Sequence, residues 1–127
     1  MSLPEVVKVG GITYSVYVTE NMSNGIQNVC GECDFEKCEI RIAPQNEEKM
    51  QRDFMHEIIH AIAYHMGYTK HREKKIEALA AALYMVAKDN PGIFDFCNQS
   101  SKDSFSAVYT DSDGNERRRE YKRKSRL

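Results

Sequence analysis

Two stretches near the N-terminus alternate between apolar and polar positions. Val6, Val7 and Val9, then Ile12, Tyr14, Val16 and Val18, are split by Gly10-Gly11, and together they predict a hairpin over residues 5–18. After a polar loop over 21–28, a second alternation predicts another hairpin: a strand over 29–33, a turn around Asp34 and Glu36, and a strand over 38–42 whose Ile40 and Ile42 share a face. Pro44 ends it. The period then changes from two to 3.6. Asn46 can cap a helix over 47–66, with Glu47 and Glu48 well placed in its first turn and Gly67 at its end. The second half of that helix is apolar nearly all round (Phe54, Met55, Ile58, Ile59, Ala61, Ile62, Ala63, Tyr64, Met66), so it is expected to sit buried inside the domain. A second helix, starting near Thr69 or Lys70, carries Ile76, Leu79, Ala80, Leu83, Val86 and Ala87 at helical spacing and stops at Asn90-Pro91-Gly92. Beyond Phe96 the pattern fades. Residues 105–110, the turn-forming 111–115 and the basic segment behind them fit either a hairpin or a disordered tail.

This order of elements predicts an α+β domain over residues 1–97, a short antiparallel sheet of two hairpins packed on two core helices, followed by a polar and basic segment over 98–127. A chain of 127 residues fits one compact body and excludes a multidomain enzyme. Its formal charge of -1 argues against a dedicated nucleic-acid or anionic-membrane binder. That total hides an asymmetry: residues 115–127 hold seven basic and two acidic side chains, a local +5, which leaves −6 on residues 1–114. The longest apolar run, 78–87, is far shorter than the ~20 residues of a membrane-spanning helix. Pro4, Glu5 and Lys8 interrupt any secretory h-region, so a cytoplasmic setting is expected. The four cysteines, Cys30, Cys33, Cys38 and Cys97, are then expected to be thiols or metal ligands rather than a disulfide framework.

The chemistry concentrates in His56-Glu57-Ile58-Ile59-His60 on the first helix. Helical positions four apart lie about 40° apart around the axis, so both imidazoles leave one face and can grip a single ion. Glu57 stands beside the first histidine, where it can take a proton from an activated water without being a ligand. Two imidazoles and a carboxylate in an otherwise apolar helix are costly unless a divalent cation compensates them. A catalytic zinc needs a third protein ligand and an open position for water. Glu77, set among Ile76, Ala78, Leu79 and Ala80, is the expected third ligand. The alternatives are Glu73, whose neighbours Lys70, Arg72, Lys74 and Lys75 suit a solvated face, and His65 or His71. The metzincin third histidine is absent, because Met66 and Ala63 occupy its histidine and glycine positions.

An HExxH helix preceded by short strands and followed by Glu77 in a second helix resembles the small gluzincin-type metallopeptidases of the ImmA/IrrE group, common in phages and mobile elements. The run Ile76-Glu77-Ala78-Leu79-Ala80 through Leu83-Tyr84 to Lys88-Asp89-Asn90-Pro91 is similar to compact phage-encoded members, and the likeness covers about residues 5–95. The resemblance implies a minimal zincin-like fold, one catalytic zinc held by His56, His60 and Glu77, and Glu57 as general base. It further implies a regulatory protein as substrate, typically a helix-turn-helix repressor, with the strand over 39–43 pairing to an extended peptide. Many gluzincins carry an Asp one turn after the Glu ligand to orient a histidine; Ala81 stands at that place here.

The reaction expected from these residues is metal-assisted amide hydrolysis, in which Glu57 takes a proton from water and passes it to the leaving amine. Tyr64, Tyr68 and Tyr84 are candidate donors to the oxyanion. The competing expectation is a zinc-binding interaction module without hydrolysis, DNA-associated through its basic tail. Among its supports are Cys30-x2-Cys33-x4-Cys38 and Cys97, which could make a structural zinc site, although free thiols are the stronger expectation because only Cys30-x2-Cys33 has the tight spacing. Asp111, Asp113 and Asn115 do not make a calcium loop, since Gly114 comes too early and Lys122 stands where a bidentate Glu is required.

Overall fold

The computed structural model describes residues 3–22, 29–98 and 104–122. Both N-terminal hairpins form. In the first, β1 (Val6–Val9) and β2 (Ile12–Val18) are antiparallel, with Val9 opposite Ile12 across the two-residue Gly10-Gly11 turn. In the second, β3 (Gly31–Asp34) and β4 (Glu39–Ile42) are antiparallel, and the Asp34 side chain closes the turn by accepting the backbone N–H groups of Glu36 and Lys37.

The hairpins join in an unexpected way. β2 and β4 lie parallel, Val16 opposite Ile40 and Val18 opposite Ile42, which gives the order β1-β2-β4-β3. The sheet is therefore mixed rather than purely antiparallel. After β2 the chain first takes the outer position as β3 and only then returns beside β2 as β4, a crossover that parallel pairing demands. Consequently β4 is an interior strand and β3 the edge, the reverse of the expectation that residues 39–43 would be free to pair with a peptide.

Helix α1 spans Glu47–His65, and the Asn46 side chain caps it by accepting the Lys49 backbone N–H at 2.9 Å. Its C-terminus closes with two backbone bonds, Gly67 N–H to the Tyr64 carbonyl and Tyr68 N–H to the Ala63 carbonyl, with Gly67 at φ +90°. That pairing is the Schellman arrangement, and glycine takes its left-handed position without the penalty a Cβ would bring. Helix α2 runs Glu73–Asp89, beginning later than the expected Thr69 or Lys70 because residues 66–72 turn the chain so that α2 can pack on α1.

Two apolar layers follow. Between the sheet and α1 lie Val9, Tyr14, Ile40, Ile42 and Ala61, with Phe54 and Ile58 packed against them; between the helices lie Ile59, Ile76 and Ala80, with Met55 and Leu83. Ile40 and Ile42 are fully buried, each contributing about 1.5–3 kcal/mol. α1 thus has two packing partners and an outward flank, where Ile62, Tyr64 and Met66 are exposed; its second half is not buried all round as its composition suggested.

The chain divides into two compact units, Met1–Pro91 and Gly92–Leu127, a boundary earlier than the expected one between 97 and 98. The second unit contains a 3-10 turn (Asp95–Asn98) and the hairpin of β5 (Ser104–Thr110) and β6 (Glu116–Lys122). Of the two expectations for this segment, the hairpin is the one observed, while residues 123–127 of the basic tail lie outside the described residues. Every residue of β6 is exposed, Arg117 pairs with Asp111 at 2.9 Å, and the Arg119 guanidinium sits 5.4 Å from the Tyr109 ring centre. Among the described residues no helix is long and apolar enough to cross a membrane.

Candidate metal centre and its cleft

The helical repeat sorts the HExxH residues onto two faces of α1. Glu57 shares its side with Ala61, four residues on, and both are buried toward the sheet; His56 and His60 turn toward α2. From α2, Glu73 and Glu77 project at the same four-residue spacing.

Glu73 and the histidines converge. Its Oε2 lies 3.0 Å from His56 Nε2 and its Oε1 3.1 Å from His60 Nε2, while the two Nε2 atoms are 3.1 Å apart. Two ligands held about 2.1 Å from a tetrahedral ion are ~3.4 Å apart, so this spacing fits a single metal. Among the described residues, His56, His60 and Glu73 are the one such group whose ligand atoms all lie within 4.8 Å of one another, and they could hold a metal ion.

The expected third ligand sits elsewhere. Glu77 Oε2 lies 2.6 Å from His56 Nδ1, on the far side of the ring from Glu73. Carboxylates only accept, so each His56 nitrogen lies against an acceptor; were Nε2 to give its lone pair to a metal, Nδ1 would carry the hydrogen and donate it to Glu77. The residue expected to ligate therefore lies against His56 Nδ1, and the carboxylate one turn earlier faces the Nε2 atoms of both histidines.

The second histidine is backed as well. His60 Nδ1 lies 2.7 Å from His71 Nδ1, and His71 Nε2 lies 2.7 Å from the Tyr68 carbonyl, the two rings stacked at 5.0 Å. Burial lowers the His60 pKa below the usual histidine range, opposed by Glu73. His65, the other histidine considered, is turned away and bonds the Tyr14 hydroxyl at 3.2 Å.

Glu57 forms part of the wall of a cleft of about 700 Å³, together with Gly31, Cys33, Asp53, His56, His60, His71 and Glu73. It is only 6% exposed, and burial pushes its carboxyl up to about 7; His56 opposes the shift, and Glu73, Asp53 and Glu32 add to it. A carboxyl poised there can both accept and return a proton near neutrality. Its room comes from Gly31 in edge strand β3: a Cβ at that position would stand 3.1 Å from Glu57 Oε2 and 3.2 Å from Ile42 Cδ1.

Several expected participants are not brought together. All four cysteines are free; Cys33 and Cys38 are partly buried against the sheet core, where burial pushes the Cys33 thiol up to about 12, and Cys30 is exposed beside the Lys49 ammonium at 3.6 Å. No cysteine metal group exists among the described residues. Among those residues no tyrosine lines the cleft: Tyr84 donates to Gln51 and Tyr64 stacks on Phe35. Sequence reasoning missed Gly31 altogether and gave Glu73 to a solvated face. The overlooked signal was the pair Glu73 and Glu77, four apart on α2, matching His56 and His60, four apart on α1.

Comparison with known proteins adds no relative: no protein-family model, no curated protein and no solved structure matches the chain.

Proposed function

We propose that the chain is a zinc-dependent metallo-endopeptidase whose metal ligands are His56, His60 and Glu73. The observation that carries the reading is the convergence of His56 Nε2, His60 Nε2 and the Glu73 carboxylate beside a buried Glu57 in one open cleft. When bound there, zinc would acidify a water and polarise the scissile carbonyl. Glu57 removes the proton from the attacking water and delivers it to the amine nitrogen as the C–N bond breaks, an exchange suited to a carboxyl that titrates near 7. Glu77 holds the His56 ring through Nδ1. Substrate lies in the cleft that residues 31–33 of β3, the outer strand of the sheet, help to line. An intracellular regulatory protein as substrate, and membership of the ImmA/IrrE-type peptidases, belong to the same proposal and rest on the motif likeness. The test is zinc content beside cleavage of unfolded and repressor-type protein substrates by wild type, Glu57→Gln and Glu73→Ala. One zinc per chain with cleavage lost in both variants supports the proposal. Zinc bound without cleavage by the wild type favours the binding-module alternative.

A further inference from the structure

Both nitrogens of His71 are committed, and neither points at the three-donor group. Nε2 faces the Tyr68 carbonyl at 2.7 Å. A carbonyl only accepts, so Nε2 carries the ring hydrogen, and the neutral ring presents a lone pair at Nδ1. That lone pair meets His60 Nδ1 at 2.7 Å, which must then carry a hydrogen and donate it. His60 Nε2 faces a further acceptor, the Glu73 carboxylate at 3.1 Å, so in the metal-free chain both ring nitrogens meet acceptors; a metal that takes the Nε2 lone pair leaves the hydrogen on Nδ1, where His71 receives it. The chain of donors begins at the helix terminus: the Schellman closure of α1, with Gly67 at φ +90° and Tyr68 N–H on the Ala63 carbonyl, sets the Tyr68 peptide whose carbonyl His71 reads. Phe35 meets the His71 ring edge-on at 6.0 Å and limits its rotation.

We propose that His71 is a positioning residue that receives the Nδ1–H of His60 and holds the orientation of its ring, relaying the C-terminal cap of α1 to the nitrogen on the metal side. This rests on the metal site proposed above and adds to it a neutral imidazole as backing for the second ligand, where Glu77 supplies a carboxylate for the first. Histidine backed by a hydrogen-bond acceptor is the arrangement that raises ligand basicity and holds the ring in place.

Three variants separate this role from simple support of the loop. His71→Asn keeps an acceptor where Nδ1 stood, His71→Gln reaches toward the Tyr68 carbonyl but offers His60 no acceptor there, and His71→Ala keeps neither. Two readouts apply. Proton–nitrogen NMR of the His60 ring in the Zn2+-loaded protein reports whether its Nδ1–H is held in a hydrogen bond. Titration with Co2+, followed by its visible absorption, reports affinity and geometry. The expected result is a downfield, slowly exchanging Nδ1–H in wild type and His71→Asn, an exchange-broadened one in His71→Ala and His71→Gln, and Co2+ affinity lowered roughly 10- to 100-fold in the latter two only. Circular dichroism confirms that each variant is folded. An unchanged Nδ1–H signal and affinity in His71→Ala would overturn the inference, as would rescue by Gln and not by Asn. A wild type that binds no Co2+ overturns the metal site and this inference together, whereas a wild type that binds Co2+ with the expected pattern but cleaves nothing overturns only the peptidase reading.

Discussion

The two helical walls of the cleft are built on opposite terms. On α1, His60 and Glu57 are buried and fixed by what surrounds them: the sheet on one side, α2 on the other. On α2, the Glu73 and Glu77 side chains are 69% and 57% exposed and are held by little more than their contacts with the histidines. A buried, pre-set wall pays for its charges through desolvation, visible in the raised Glu57 and lowered His60 pKa values. An exposed wall keeps its carboxylates in contact with water, without that desolvation. The division suits a site in which α1 supplies imidazole donors and a proton carrier, and α2 supplies carboxylates.

The largest expected effects fall on the buried wall. Glu57→Gln should lower turnover by about 10²–10⁴-fold with zinc content unchanged, measured by cleavage rate beside metal analysis. Cleavage persisting at the wild-type rate would remove Glu57 as the proton carrier. On the exposed wall the two carboxylates should separate. Glu73→Ala is expected to abolish stoichiometric zinc, and Glu77→Ala to weaken affinity by roughly 10- to 100-fold, since it acts through His56. Competition with a chelator measures both, and the opposite ranking would return Glu77 to the ligand set.

Stability offers a test independent of catalysis. The Glu57 carboxyl titrates near 7 when folded against 4.5 when free, so the folded metal-free chain holds that proton more tightly than the unfolded one. The stabilisation is full below pH 4.5 and is lost as pH rises through 7, roughly 3 kcal/mol at about 1.4 kcal/mol per pH unit. Thermal unfolding of the metal-free protein should therefore shift downward across this interval, and Glu57→Gln should flatten the dependence. A wild-type profile already flat would mean that the carboxyl is not desolvated. The smallest effect is steric. Gly31→Ala places a Cβ 3.1 Å from Glu57 Oε2, so the carboxylate must give by a few tenths of an ångström. Turnover should fall about tenfold while zinc affinity holds, because misplacing a reacting group costs rate more than ligand binding.

Much of this molecule could be read locally. Alternation in residues 5–18 and 29–42 specified four strands, Asn46 and Gly67 bracketed α1 nearly to the residue, and the i, i+4 repeat placed His56 and His60 on one face with Glu57 turned aside. These are properties of a strand or helix taken alone. Three features were decided by tertiary structure. The parallel pairing of β2 with β4 depends on which edge the returning chain finds, and alternation is the same in either arrangement. The choice between Glu73 and Glu77 depends on how far α2 slides along α1, which is set by Ile76 and Ala80 packing on Ile59; one helical turn, about 5.4 Å, exchanges the two roles. The use of His71 depends on where the Schellman turn aims the Tyr68 carbonyl. Periodicity tells which residues share a face. Which neighbour that face meets, and at which turn, is settled by packing between elements far apart in the chain.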